Sequence, residues 1–259
     1  MEIIGYRFIR NRATGEIVGP LVPVFADEWP YRIPADSQTV WRYMDLWKFE
    51  AMLRQSALYF RRCDKFSDPL EGRLSNRVIH GTSKSDRAFA SVYKIQEDYD
   101  KETAAQEVTR GCVFVNCWHM GDAESQRMWR EYTTTPDSVV IVSAVGDLRA
   151  AVGDNVVLAG VRYVPLTTPR IKFSELTVFF YKDESFEYEN ELRLVRPLKD
   201  GEQVFQDNEE DFAKEIQIQL SSVIRRVVTN KAISESAADT VRSLCRQYCP
   251  SVRVEPSTL

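Results

Sequence analysis

The sequence predicts an α+β fold whose central sheet is mainly antiparallel and flanked by helices. Three observations predict it. Glu191-Leu192-Arg193-Leu194-Val195-Arg196 alternates polar and apolar residues up to Pro197, the pattern of a strand with one buried face. Ser138 to Val145 is almost continuous in β-branched residues, the profile of a central strand covered on both faces. Ser234 to Tyr248 carries Val241, Leu244 and Cys245 at helical spacing, as an amphipathic helix laid on that sheet would.

Taken in order, residues 1–36 form an N-terminal extension rich in Gly and Pro. A hairpin is expected around Ala13-Thr14-Gly15, between Tyr6-Arg7-Phe8-Ile9 and Glu16-Ile17-Val18. Residues 37–259 then read as one α+β catalytic-type domain, without repeats or a linker. Thr39 to Tyr43 is a strand of β-branched and aromatic residues, and Asp45 caps a helix through Gln55 whose Leu46, Phe49, Met52 and Leu53 share a face. Leu58-Tyr59-Phe60 is a short strand ended by the turn Phe66-Ser67-Asp68-Pro69. Residues 83–110 are polar with apolar positions at helical spacing, hence one or two surface helices. A strand follows from Cys112 to Trp118, and Asp122 opens a short helix with Met128, Trp129 and Tyr132. Val156–Leu158 and Val161–Val164 are strands broken by Gly160. Glu175–Lys182 fits a helix by Leu176, Phe179 and Phe180 and a strand by Thr177 and Val178. Beyond Pro197 come a polar loop at 199–210, a strand through Ile216, Ile218 and Leu220, its continuation at Val223–Val228, and a last strand at Val252–Val254.

Composition narrows the function classes. With 44% hydrophobic and 28% charged residues the chain has the balance of a globular protein, not a disordered one. A net charge of −4 argues against broad electrostatic capture of nucleic acid, leaving only local groups such as Arg54, Arg61, Arg62 and Lys65. The five cysteines are odd in number and lack Cys-x-x-Cys spacing, which favours a reducing, cytoplasmic setting over a disulfide framework. Two histidines cannot furnish a rich metal site. No apolar run is long enough to span a bilayer, so no membrane partner is expected.

The most informative local feature is Glu187-Tyr188-Glu189-Asn190-Glu191. In an extended segment its three glutamates point to one face, where their repulsion raises at least one pKa and suits acid/base or cation-binding work. The competing reading is a strand end whose glutamates pair with Arg193 or Arg196. Arg42, between Trp41 and Tyr43 in an apolar strand, is either an edge arginine or an anion-binding group with aromatic neighbours. His119 stands at a strand end beside Cys117 and Trp118. Trp129 and Tyr132 share a helical face, as core packing or as a stacking surface. Rossmann, Walker, nucleophile-elbow and zinc-helix signatures are absent.

Six segments in order carry a family resemblance: Val40-Trp41-Arg42-Tyr43, Leu58-Tyr59-Phe60, Phe66-Ser67-Asp68-Pro69-Leu70-Glu71, Met128-Trp129-Arg130-Glu131-Tyr132, Val161-Arg162-Tyr163 and Tyr188-Glu189-Asn190-Glu191-Leu192-Arg193. From Thr39 onward the chain resembles the prokaryotic family called domain of unknown function 2971. That family is in turn similar to the ADP-ribosyltransferase superfamily, whose fold is a split, mainly antiparallel sheet around an NAD cleft. The resemblance implies that Arg42 binds the dinucleotide, with Tyr43, His119, Trp129 and Tyr132 around it. It implies that Glu191 stabilises the cationic ribose as nicotinamide leaves, and that Glu189 orients or deprotonates the acceptor. Arg42 and Glu191 should then meet across one cleft, and the transferase reading rests on that approach. The serine of that superfamily's middle strand has no counterpart near Asn116-Cys117-Trp118-His119, where Asn116 or His119 would stand in.

The function expected is thus NAD-dependent ADP-ribosyl transfer to a protein or nucleic acid, or NAD hydrolysis, with a toxin or anti-phage role implied by the superfamily. Two alternatives stand beside it. One is a non-catalytic nucleotide- or peptide-binding module. The other is a metal-dependent nuclease using Glu187, Glu189, Glu191 and Asp68. Glu191→Gln is expected to leave folding unaffected or improved, by relieving repulsion within the acidic run.

Overall fold

The computed structural model describes residues 3–10, 17–25, 32–68, 71–72, 107–165, 176–199, 202 and 208–259. Strands β1 (Ile3–Arg10) and β2 (Ile17–Phe25) pair antiparallel, and the turn expected at Ala13–Gly15 lies outside the described residues. Most of the surface helices expected over 83–110 also fall outside them, although residues 107–111 are helical.

The chain forms a mixed α+β fold around an open, mainly antiparallel sheet of nine strands. Its members are β3 (Thr39–Asp45), β4 (Ala57–Arg62), β5 (Val113–Met120), β6 (Ser138–Ala144), β7 (Val157–Gly160), β10 (Glu191–Pro197), β11 (Ala213–Gln217), β12 (Arg226–Thr229) and β13 (Arg253–Pro256). Only β12 and β13 pair in parallel within it. Two short parallel strands, β8 (Arg162–Val164) and β9 (Tyr181–Asp183), stand apart.

The sheet forks at β5. One edge of β5 pairs with β10 over its whole length, from Val113 to His119. The other edge is shared: Phe114 and Val115 pair with β4, whereas His119 and Met120 pair with β3. Asn116 stands where the two branches part. Its amide donates to the Tyr59 carbonyl at 2.9 Å and accepts from the Trp118 indole at 2.6 Å, satisfying buried polar groups that no ladder reaches there.

Directly opposed residues of antiparallel strands share a face. One face therefore carries Trp41, Tyr43, Cys117, His119, Glu191 and Arg193, and the other carries Val40, Arg42, Met44, Trp118, Leu192 and Leu194. The second face holds the main core, covered by α1 (Leu46–Gln55), α3 (Val145–Val152) and α5 (Glu235–Tyr248). Phe49, Met52 and Leu53 of α1 are buried, each contributing on the order of 1.5–3 kcal/mol. The first face holds two smaller clusters, around Phe179 and around Trp41 with Tyr43.

Several local expectations are corrected. Asp45 precedes α1 but does not cap it; its carboxylate accepts from Thr134 N at 2.7 Å and Thr134 Oγ1 at 3.0 Å. The short helix α2 (Gln126–Tyr132) begins after Ser125, whose hydroxyl caps it, rather than at Asp122. α3 has no counterpart in the sequence reading. The strand through Ile216 stops at Gln217, and Leu220–Val223 is the short helix α4. The ambiguous 175–182 segment is a 3₁₀ turn (Thr177–Phe180) followed by β9. β10 is buried on both faces, because its polar side is filled by ion pairs instead of water.

Candidate functional site

The acidic run is not extended. Glu184–Glu189 is a 3₁₀ helix, and Asn190 turns the chain with φ 35° into β10. The even spacing of Glu187, Glu189 and Glu191 therefore does not set them on one strand face, and Glu187 is exposed. The Asn190 turn nevertheless brings Glu189 and Glu191 together. Asn190 Nδ2 donates to the Met120 carbonyl at 2.7 Å, and His119 Nδ1 lies 2.6 Å from the Glu189 carbonyl. A carbonyl only accepts, so Nδ1 carries the hydrogen and a neutral His119 ring presents Nε2 as an acceptor.

Five charged side chains gather here, all but Lys182 fully buried. Arg193 grips Glu191 with two bonds, Nε to Oε1 at 2.8 Å and Nη2 to Oε2 at 2.9 Å. The same guanidinium bonds both carboxylate oxygens of Glu71 and donates to the Phe179 carbonyl at 2.7 Å. Lys182 Nζ lies 2.6 Å from Glu189 Oε2, 3.9 Å from Glu71 and 4.0 Å from Glu191. Tyr132 OH donates to Glu189 Oε1 at 2.7 Å, and Tyr163 OH accepts from Glu191 N at 2.8 Å.

Three carboxylates thus face two cations. Burial pushes the Glu191 carboxyl up, but Arg193 and Lys182 together pull it below the ordinary range. For Glu189, burial and then the charge of Glu191 win over Lys182, and its carboxyl is held above the ordinary range. Burial lowers Lys182 and Arg193, yet the surrounding carboxylates leave both above their usual values. Cys117 donates into this cluster, and burial with the charge of Glu191 holds its thiol well above the reactive range.

The predicted site residues separate into three groups. Glu189, Glu191, His119 and Tyr132 meet in the cluster, with Tyr132 its exposed wall at 39%. Tyr43 and Trp129 pack edge-to-face at 5.1 Å beside it, buried and with their polar ends bound to Ser125 N and Glu124. Neither ring is free to stack on a ligand. Arg42 is not brought to the cluster. It leaves β3 on the opposite face, lies 5.8 Å from the Trp118 ring and reaches the Tyr59 carbonyl at 3.4 Å. Burial pushes its pKa down to about 10. The cleft expected between Arg42 and Glu191 is not formed, because adjacent residues of a strand point to opposite faces and Trp41 is the one level with His119 and Glu191.

Sequence reasoning named Arg193 only as a competing partner, and missed Lys182, Glu71 and Tyr163 as site residues. Glu71 and Tyr163 each lie inside a segment that carried the family resemblance, which was the available signal. Among the described residues no three His, Cys, Asp or Glu side chains are grouped as a metal ion would require, and no helix is long and apolar enough to cross a membrane. Comparison with protein-family models, curated proteins and solved structures gives no match for this chain.

Proposed function

We propose that the Glu189–Glu191 cluster serves NAD-dependent ADP-ribosyl chemistry, transferring ADP-ribose to a protein or nucleic acid or hydrolysing NAD. The observation that carries the proposal is the excess of buried carboxylate over cation. Loss of nicotinamide builds positive charge on the ribose, and a preorganised site with surplus negative charge stabilises that charge without reorganising. The forked sheet around β5 is in keeping with the split sheet of the superfamily. Four of the six resembling segments also supply side chains to this one cluster, namely Glu71, Tyr132, Tyr163, and Glu189 with Glu191 and Arg193.

Within this proposal the roles shift between the two glutamates. Glu191 is locked on Arg193, so it sets the field, whereas Glu189 stands behind the exposed Tyr132 and is the carboxylate that meets the ribose. The opposite-face position of Arg42 counts against this reading, which rests on the carboxylate cluster and not on Arg42. Arg127, exposed on the helix that bears Tyr132 and 3.2 Å from the centre of the Tyr188 ring, is the cation we assign to the pyrophosphate in its stead. Incubation of the protein with NAD and quantitation of released nicotinamide tests the proposal.

The second reading, a non-catalytic nucleotide-binding module, is favoured by the bidentate Arg193–Glu191 pair and the position of Arg42. It predicts NAD binding by calorimetry with no nicotinamide released.

A further inference from the structure

We propose that Tyr132 is the gate of this site: its ring closes over Glu189 through one hydrogen bond and swings aside to admit substrate. The inference rests on the reading of Glu189 as the working carboxylate and states how that carboxylate is reached. Glu71, Glu189, Glu191 and Arg193 are all buried. Both oxygens of Glu189 are also taken, Oε1 accepting from Tyr132 OH at 2.7 Å and Oε2 from Lys182 Nζ at 2.6 Å. A substrate gains an oxygen only when one of these partners leaves. Lys182 is 11% exposed and lies within 4.0 Å of three carboxylates, which hold it in place. Tyr132 is the partner that reaches solvent, at 39%.

Little else holds the ring. Among the described residues the Tyr132 side chain makes this one hydrogen bond, and it belongs to none of the three apolar clusters, two of which take up its neighbours on the same face of the sheet. Met128 and Trp129 anchor α2 in the cluster around Trp41. Tyr132 is the last residue of that helix, and Thr133 after it is extended, with φ −123° and ψ 139°. Thr133 Oγ1 donates to the Trp129 carbonyl at 2.6 Å, so the helix end stays tied down when the ring moves. Burial, and then the charges of Glu189 and Glu191, hold the phenol well above its ordinary range, so it remains a donor at neutral pH.

Opening is a change of rotamer. Staggered wells make it a step between discrete positions, and it needs no movement of α2. The bond to Glu189 sets the balance between closed and open. A hydrogen bond to a charged group shifts such a balance about tenfold or more. A ligand that donates its own proton to Oε1 takes over that bond, so binding and opening are coupled.

The test labels carboxyls of the full-length folded chain with a water-soluble carbodiimide and glycine ethyl ester. Trypsin cuts after Lys182 and Arg193, so one peptide, 183–193, carries Glu184, Glu187, Glu189 and Glu191, and fragment ions assign the label to each. Activated Glu189 is also captured by Lys182, and that amide, found in peptide 173–193, counts as modified Glu189. In wild type the exposed Glu184 and Glu187 should label while Glu189 stays protected. Tyr132→Phe keeps the ring and removes its bond, and should speed labelling of Glu189 about tenfold or more. Tyr132→Ala should do at least as much. Glu184 and Glu187 should be unchanged, and Glu191, locked on Arg193, should stay protected as the control for folding. Equal labelling of Glu189 in all three proteins, or labelling of Glu191 in step with Glu189, would overturn the proposal. In the nicotinamide assay Tyr132→Phe should raise kcat/KM, and a fall would make the hydroxyl a catalytic group instead of a gate. The labelling needs no NAD: Glu189 unmasked without nicotinamide release would leave the gate and remove the transferase reading.

Discussion

Replacing Lys182 by Met keeps the apolar stem and removes one of the two cations that face three carboxylates. Its ammonium lies 2.6 Å from Glu189 and within 4.0 Å of Glu71 and Glu191. Breaking a buried pair by deleting one partner costs about 3–5 kcal/mol when the remaining charge stays uncompensated. Here Glu189 can take up a proton instead. Protonating a carboxyl of ordinary pKa at pH 7 costs about 3.7 kcal/mol, at about 1.4 kcal/mol per pH unit. Glu189 is already held above that range by burial and the charge of Glu191, so the cost falls below this ceiling. The expected destabilisation is about 2–3 kcal/mol at pH 7, shrinking by about 1.4 kcal/mol per unit to less than about 1 kcal/mol at pH 5. The sign follows from proton binding. A carboxyl with a raised folded pKa favours the native state at low pH and withdraws that contribution as pH rises through its folded value, and removing Lys182 raises it further. Urea unfolding of wild type and Lys182→Met at pH 5, 6 and 7 measures the effect. Equal destabilisation at pH 5 and pH 7 would refute the reasoning, because no proton would then be compensating the lost cation.

Other outcomes follow from the same geometry. Glu191→Gln should lower stability by about 1–3 kcal/mol, reversing the expectation from the acidic run, because Arg193 loses a charged bidentate partner; thermal melts of the variant check it. Glu187→Gln, at an exposed position, should melt within about 0.5 kcal/mol of wild type. Asp45→Ala should cost about 1–3 kcal/mol, since the buried carboxylate holds both the amide and the hydroxyl of Thr134; denaturant midpoints measure it. Asp45, Asp64 and Glu191 all have lowered pKa values, so their stabilisation is complete above the ordinary carboxylate range and is lost as pH falls through their depressed values. Melting temperatures taken downward from pH 7 should hold to about pH 4.5 and then drop.

The parts of the fold that were legible in sequence are those where one local signal decides. The β-branched run from Ser138 makes a strand buried at every position, and Ser234 caps α5 by accepting from Ala237 N. α3 was missed because Val145 continues the same apolar run, and only the chain's departure from the sheet separates strand from helix. The acidic run was misread for a related reason. Its two-residue spacing is meaningful only in an extended chain, and the 3₁₀ turn with left-handed Asn190 replaces that geometry with another that still joins Glu189 to Glu191. Arg42 shows the limit most clearly. The resemblance assigned it to the dinucleotide, yet the face of a strand is set by register against its neighbours, which only the His119–Trp41 and His119–Glu191 pairings reveal.

The central claim is that surplus buried carboxylate, delivered through Glu189, stabilises a cationic ribose. Nicotinamide release from NAD by wild type and by Glu189→Gln tests it most directly. Gln is isosteric and uncharged, its one oxygen accepting from Lys182 while its amide donates to a reoriented Tyr132 hydroxyl, so the account predicts a fall in rate of roughly a hundredfold in a protein that still folds. Release at the wild-type rate from the folded Glu189→Gln protein, or none from wild type, would contradict it.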